Sequence, residues 1–176
     1  MNDVLVIDDF LDQSELNQIN DHLIDKVPWI FVDDTGISKG RYRTLGHSRQ
    51  LDKCELIDPE INLIIKVQEF NDLNPDIFDE KFDFHTIYYN AIRYGDKFKY
   101  HTDGTGPTFL IYCNKDWRWW YGGGTKIKGY GTVKPKPGRL VIFPGNIKHK
   151  PCPMSFLTQT HARFSIALQS NKTTTP

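Results

Sequence analysis

From Phe82 to Leu168 the chain breaks into short runs, FDFHTIYYNAIRY, TFLIYCN, TKIKG, GTVKP, GRLVIF and RFSIAL, separated by Gly, Pro, Asn and Asp. Short runs rich in β-branched and aromatic residues between turn formers read as strands, mainly antiparallel ones. Such strands bury their apolar faces by closing on one another, as a sandwich or jelly roll. The first half follows another period. VLVID reads as a short strand, and Leu16, Ile19, Leu23, Ile24 and Val27 recur at helical spacing after Ser14. Asp58 and Pro59 suit the N-cap and first turn of a second helix, which Ile61, Ile64, Ile65 and Phe70 continue toward Leu73. The expected fold class is α+β and mainly β, a jelly roll with N-terminal helices packed on one face.

A chain of 176 residues has room for one sizeable core. We expect a single domain over residues 1–170 and a flexible polar tail over 171–176. Hydrophobic residues make up 39% and charged residues 25%, which excludes a disordered chain. The apolar runs are too short to cross a membrane, and MNDVLVIDDF carries acids where a secretory signal carries basic residues and a long apolar core. Cys54, Cys113 and Cys152 are odd in number and form no CxxC pair, so reduced thiols and a cytoplasmic location are expected.

A net charge of zero hides an asymmetry. Residues 1–88 hold 8 Lys and Arg against 19 Asp and Glu, and residues 89–176 hold 14 against 3. A basic second half suits an acidic small molecule or a polyanion, while the zero total argues against nucleic acid as the main partner. Lys126 and Lys128 alternate outward, as do Lys134 and Lys136, giving a basic hairpin face read as solvated or as edge protection. Oligomeric state leaves no signal in the sequence.

His101 and Asp103 follow the strand around Ile87 to Tyr94. On an extended backbone, residues two apart project to one side, so imidazole and carboxylate can converge on one ion. His149, just after GRLVIFPG, supplies a third ligand. Two histidines and a carboxylate form the facial set that leaves positions open on octahedral Fe(II), as oxygen chemistry requires. In RFSIALQ the alternation puts Phe164, Ile166 and Leu168 on one face and Arg163, Ser165 and Ala167 on the other. A guanidinium pointing into a sandwich needs a partner, and a dicarboxylate ligand would supply one, with Ser165 adding a hydrogen bond.

RYGDKFKYHTDG, TFLIYCNKDW, GGGT, PKPGRLVIFPGNIKH and RFSIAL, in that order, resemble the Fe(II)- and 2-oxoglutarate-dependent dioxygenases, in the branch of the prolyl 4-hydroxylases. The resemblance covers Tyr88 to Gln169 and, more loosely, VIDDFLDQSEL. It implies a double-stranded β-helix, a cupin-like jelly roll with the metal at its open end. It implies that His101, Asp103 and His149 hold catalytic iron, and that Arg163 and Tyr112 bind the distal carboxylate of 2-oxoglutarate. Tyr94 would border that cosubstrate, with Ser165 nearby. The implied reaction is hydroxylation with release of succinate and CO2, using O2 and ascorbate as reductant. The implied substrate is a peptidyl residue such as proline; a free amino acid, another small molecule or nucleic acid stays open, as does a noncatalytic metal- or acid-binding module.

The sequence departs from that pattern in two places. Relatives that use Lys for the cosubstrate carry it ten residues after the second histidine, where Gln159 stands; Arg163 lies fourteen after His149. The frequent GGET appears as Gly123-Gly124-Thr125, without the acid.

Trp29 to Lys53 is polar, punctuated by Gly36, Gly40 and Gly46, and without sustained period. Residues 33–50, with Arg41, Tyr42, Arg43 and His47, are expected to form a substrate-covering lid. Trp117, Trp119, Trp120 and Tyr121 are expected to pack a loop onto the core, and Cys152 to pack rather than to bind metal. His22, His47, His85 and His161 have no ligand-like partners in sequence.

Overall fold

The computed structural model describes residues 4–33, 43–51, 55–77, 82–158 and 160–173, with backbone alone at 31–33, 43–47 and 76. Its strands are β1 (Leu5–Ile7), β2 (Ile30–Asp33), β3 (Arg43–Gln50), β4 (Phe82–Arg93), β5 (Pro107–Tyr112), β6 (Thr125–Ile127), β7 (Gly131–Val133), β8 (Leu140–Pro144), β9 (His149–Pro151) and β10 (Ala162–Lys172). Two helices, α1 (Gln13–Asp25) and α2 (Asp58–Leu73), precede β4.

Seven strands form a large antiparallel sheet in the order β1-β8-β5-β10-β4-β3-β2, and three form a small one, β7-β6-β9. After β4 and β5 in the large sheet the chain crosses to β6 and β7, returns in β8, crosses again to β9 and returns in β10. This winding between two sheets is the expected double-stranded β-helix.

Period-2 alternation sets the layers. In β10, Phe164, Ile166 and Leu168 face the helices, joining Leu16, Ile19 and Leu23 of α1 and Leu63 and Val67 of α2 in one core. Ala167 faces the other way, into a second core where Leu110, Tyr112, Val141 and Phe143 meet Ile127 and Val133 of the small sheet. Full burial of one such aliphatic or aromatic side chain stabilises the fold by roughly 1.5–3 kcal/mol.

Both helices start where carboxylates satisfy free N–H groups. Asp12 accepts from the Glu15 N–H (2.9 Å) and Glu15 from the Asp12 N–H (2.7 Å), so α1 opens ahead of Ser14. In α2, Ile57 occupies the N-cap expected for Asp58, and its N–H donates to Glu60 (3.0 Å).

The expected lid is corrected over 43–50. Those residues are β3, registered on β4 from Leu45 opposite Ala91 to Gln50 opposite Thr86, with β2 paired on the outer side. The strand carries no apolar alternation in its sequence because it lies near the sheet edge, where polar residues such as exposed Ser48 and Gln50 are tolerated. Residues 34–42, including Arg41 and Tyr42, lie outside the described residues, as does Cys54. The tail expectation is corrected too: β10 runs to Lys172, which pairs with Phe82.

Candidate active site

The crossings between sheets build the site. His101 and His149 face each other in an antiparallel bridge, the N–H of each donating to the carbonyl of the other at 3.0 Å. On its other side His149 is registered against Ile127 of β6. Directly opposed residues send their side chains the same way, so both imidazoles enter the space between the sheets. Their ring centroids are 4.4 Å apart. Asp103 follows, its N–H donating to the Gly145 carbonyl (2.8 Å). A Cβ on Gly145 would stand 2.6 Å from the Gly106 carbonyl oxygen, so glycine lets the turn after β8 press against the Asp103 loop.

Asp103 presents one oxygen to each histidine, Oδ1 at 3.7 Å from His101 Nε2 and Oδ2 at 3.3 Å from His149 Nε2. All three ligand atoms lie within 4.8 Å of one another. Adjacent donors on an octahedral ion with bonds of about 2.1 Å sit about 3 Å apart, so modest closure would bring this set onto a metal. His149 Nδ1 lies 3.0 Å from the Ile147 carbonyl, a contact that fixes the ring and leaves Nε2 facing Asp103. The Thr108 hydroxyl donates to Asp103 Oδ2 (2.9 Å). Burial works to raise the Asp103 carboxyl, but the hydrogen bond and charge of His149, the charge of His101 and the Thr108 bond hold it below its ordinary value.

The same cavity, about 280 Å³, is also lined by Arg163 and Thr125. Arg163 is 1% exposed. Its Nη1 donates to the Gly123 carbonyl (2.9 Å) and reaches Thr125 Oγ1 at 3.4 Å, and its Nη2 donates to Ser165 (3.0 Å). Nε is buried without a hydrogen-bond partner. Among the described residues no carboxylate pairs with this guanidinium, and burial works against its charge. The deep pocket thus holds an uncompensated cation, an arrangement that recruits an anion.

The region from β4 to β10 matches a known family model. Residues 88–168 match the description 2OG-Fe(II) oxygenase superfamily. Residues 88–168 belong to that superfamily. Among curated proteins, none matches the chain in sequence. Among solved structures, a Pseudomonas putida prolyl-4-hydroxylase aligns at 16% identity over 96% of this chain and 94% of its own, with TM-score 0.70. The viral collagen prolyl hydroxylase of Paramecium Bursaria Chlorella virus-1, solved as a 2OG complex, aligns at 16% identity over 95% and 94%, with TM-score 0.65. A Trichoplax adhaerens prolyl hydroxylase, in complex with a peptide fragment of the hypoxia inducible factor oxygen degradation domain, aligns at 18% identity over 97% and 84%, with TM-score 0.72.

The expectation of an Fe(II)- and 2-oxoglutarate-dependent oxygenase on a jelly-roll fold is borne out. The residues of this oxygenase fit both groups: a facial His, Asp, His donor set for the metal, and a buried unpaired cation for a dicarboxylate in the same cavity.

The other site expectations fare unevenly. Ser165 is buried against Arg163, as the alternation in β10 requires. Tyr112 is buried with its ring 5.3 Å from the guanidinium, but its hydroxyl donates to Thr125 (2.8 Å) and lies 3.3 Å from the Val133 carbonyl. Thr125 therefore stands between Tyr112 and the cavity. Tyr94 sits apart, 49% exposed in the turn that ends β4, and the cavity wall of that strand is made by Tyr88 and Asn90 instead. Thr108, Thr125 and Gln169 were not singled out in the sequence; all three alternate inward from their strands, which was the available signal. Trp119 and Trp120, expected to pack inward, are exposed at 78% and 40%.

Proposed function

We propose that this oxygenase hydroxylates a residue of a polypeptide substrate, with His101, Asp103 and His149 holding iron and Arg163 binding the distal carboxylate of 2-oxoglutarate. The observation that carries the reading is a fully buried arginine that has no carboxylate partner among the described residues, lining the cavity that also receives the histidines and the aspartate. Bound iron and cosubstrate supply the oxidising chemistry. The chain's part is to hold the donors in one facial set, to neutralise the cosubstrate's far end and to keep the interior dry. Ser165 and Gly123 fix the guanidinium plane, so a carboxylate arriving there meets a preorganised partner.

The polypeptide substrate is supported by the fold likeness to three prolyl hydroxylases, one of them holding a peptide. His101, with its side chain 34% exposed, leaves the metal side of the cavity accessible to a large molecule. Free Cys113 and Cys152 suit a reducing compartment, and the cytoplasm is the location we propose. Among the described residues no helix is long and apolar enough to cross a membrane.

The test is a screen of proline-containing peptides with Fe(II), 2-oxoglutarate and ascorbate, reading succinate and the mass of the peptide together. We expect peptide-dependent succinate with gain of one oxygen atom. Tight 2-oxoglutarate binding without succinate from any substrate class would make the chain a binding module.

A further inference from the structure

We propose that the outer face of the small sheet docks an acidic stretch of the polypeptide substrate, an inference that rests on the peptidyl reading above. Thr125, Ile127 and His149 are buried, which turns Lys126 of β6 and Lys150 of β9 outward, and these two lysines are directly opposed in register. Two residues further along, the Lys128 N–H donates to the Lys148 carbonyl (2.9 Å), and both side chains are exposed. Alternation places all four ammonium groups on one face, as two cross-strand pairs of like charge. Such pairs destabilise a sheet unless an anion offsets them.

Among the described residues no internal anion does so. Lys66, Lys115 and Lys136 form ion pairs with carboxylates, whereas among the described residues none of the four lysines on this face meets one. Lys136, grouped by sequence with the basic hairpin, pairs instead with Asp8 and Asp9. The patch adjoins the metal donors: His149 points in where Lys150 points out, and the Lys150 ammonium lies 5.0 Å from the ring of Tyr100, the residue before His101. A chain leaving the cavity past His101 would cross these lysines. Two pairs match two or three carboxylates. A long polyanion would also meet the acidic first half, where 19 Asp and Glu face 8 Lys and Arg, so an acidic peptide fits better than nucleic acid.

The test uses the full chain and two fluorescein-labelled peptides with the same central proline, one flanked by four glutamates and the other by four glutamines. By anisotropy at low salt the acid-flanked peptide should bind about tenfold tighter, the scale of four exposed ion pairs. The preference should vanish at about 0.5 M NaCl and in both Lys126→Glu/Lys150→Glu and Lys128→Glu/Lys148→Glu, while their 2-oxoglutarate affinity stays at wild type. Lys126→Gln/Lys150→Gln serves where the charge reversal does not fold. Equal affinity for the two peptides, or a preference that survives these variants, overturns the proposal. So does a twelve-nucleotide single strand that binds more tightly than the acid-flanked peptide. A lysine-dependent preference without peptide-dependent succinate keeps the surface and removes the peptidyl-hydroxylase reading. Equal KM for hydroxylation of both peptides removes the surface alone.

Discussion

Arg163→Leu separates a guanidinium kept for a ligand from one kept for the fold, because the two roles predict different responses of stability and affinity. In the free protein the charge is 1% exposed, makes bonds of 2.9 Å to Gly123 and 3.0 Å to Ser165, and leaves Nε unsatisfied. Two such bonds contribute roughly 1.5–3 kcal/mol each, and desolvating an unpaired cation costs several kcal/mol in the opposite direction. The leucine variant without cosubstrate should therefore lie within about 2 kcal/mol of wild type, a Tm change of no more than roughly 8 °C for a chain of this size. With cosubstrate the sign is unambiguous: removing one partner of a buried charge pair costs about 3–5 kcal/mol, or between a hundred and a few thousandfold in Kd. Titration calorimetry with 2-oxoglutarate, using Mn(II) in place of Fe(II), reads the loss directly. Thermal melts should agree, since the stabilisation by saturating 2-oxoglutarate, about 2.7 kcal/mol at a hundred times Kd, disappears with the affinity. Arg163→Lys should fall between, because one ammonium cannot reach Gly123, Ser165 and a carboxylate with the geometry of a planar fork. A leucine variant that keeps 2-oxoglutarate affinity within threefold of wild type would refute the assignment of this residue.

Two further predictions concern other carboxylates. Glu60, 1% exposed, accepts from Arg49 at 3.0 Å, from the Ile57 N–H and from the Tyr89 hydroxyl, with His22 at 3.3 Å. Burial works to raise its carboxyl, yet the close approach of His22, the bonds from Tyr89 and Ile57 and the charge of Arg49 bring it from an ordinary 4.5 down to about 2. A depressed carboxyl stabilises fully above its unfolded value and loses that contribution as pH falls toward the folded one. Glu60→Gln should accordingly lower stability by about 3 kcal/mol at neutral pH, with the difference from wild type shrinking below about pH 4.5 and gone near pH 2 in urea melts; a constant difference across that window would sink the idea. Asp103→Asn keeps the size of the side chain but removes the charge between the two histidines, and should weaken Mn(II) or Fe(II) binding at least a hundredfold with unchanged circular dichroism. Wild-type metal affinity in that variant, measured by competition against a chelator dye, would exclude Asp103 as a ligand.

What was legible in the sequence was whatever repeats with the period of its own element. Alternation alone put Arg163, Ser165 and Ala167 on the inner face of β10, and helical spacing put Leu16, Ile19 and Leu23 on the buried face of α1. Properties set by register or by distant neighbours were not legible. β9 is three residues, HKP, with no strand-like composition; it is a strand because β6 lies on one side and His101 on the other. The direction of the Tyr112 hydroxyl depends on Thr125, a residue on another sheet. The buried cluster of His22, Arg49, Glu60 and Tyr89 draws on four elements far apart in the chain, each unremarkable alone. The basic face follows the same division. Alternation was enough to turn Lys126 and Lys128 outward, but Lys148 and Lys150 became their opposites only through the pairing of β6 with β9. His149, which we propose as a metal donor, enforces that pairing, since its inward direction fixes the parity of Lys150. The register that completes the proposed metal site therefore also concentrates the positive charge beside it, and a slip of one residue in β9 would dismantle both.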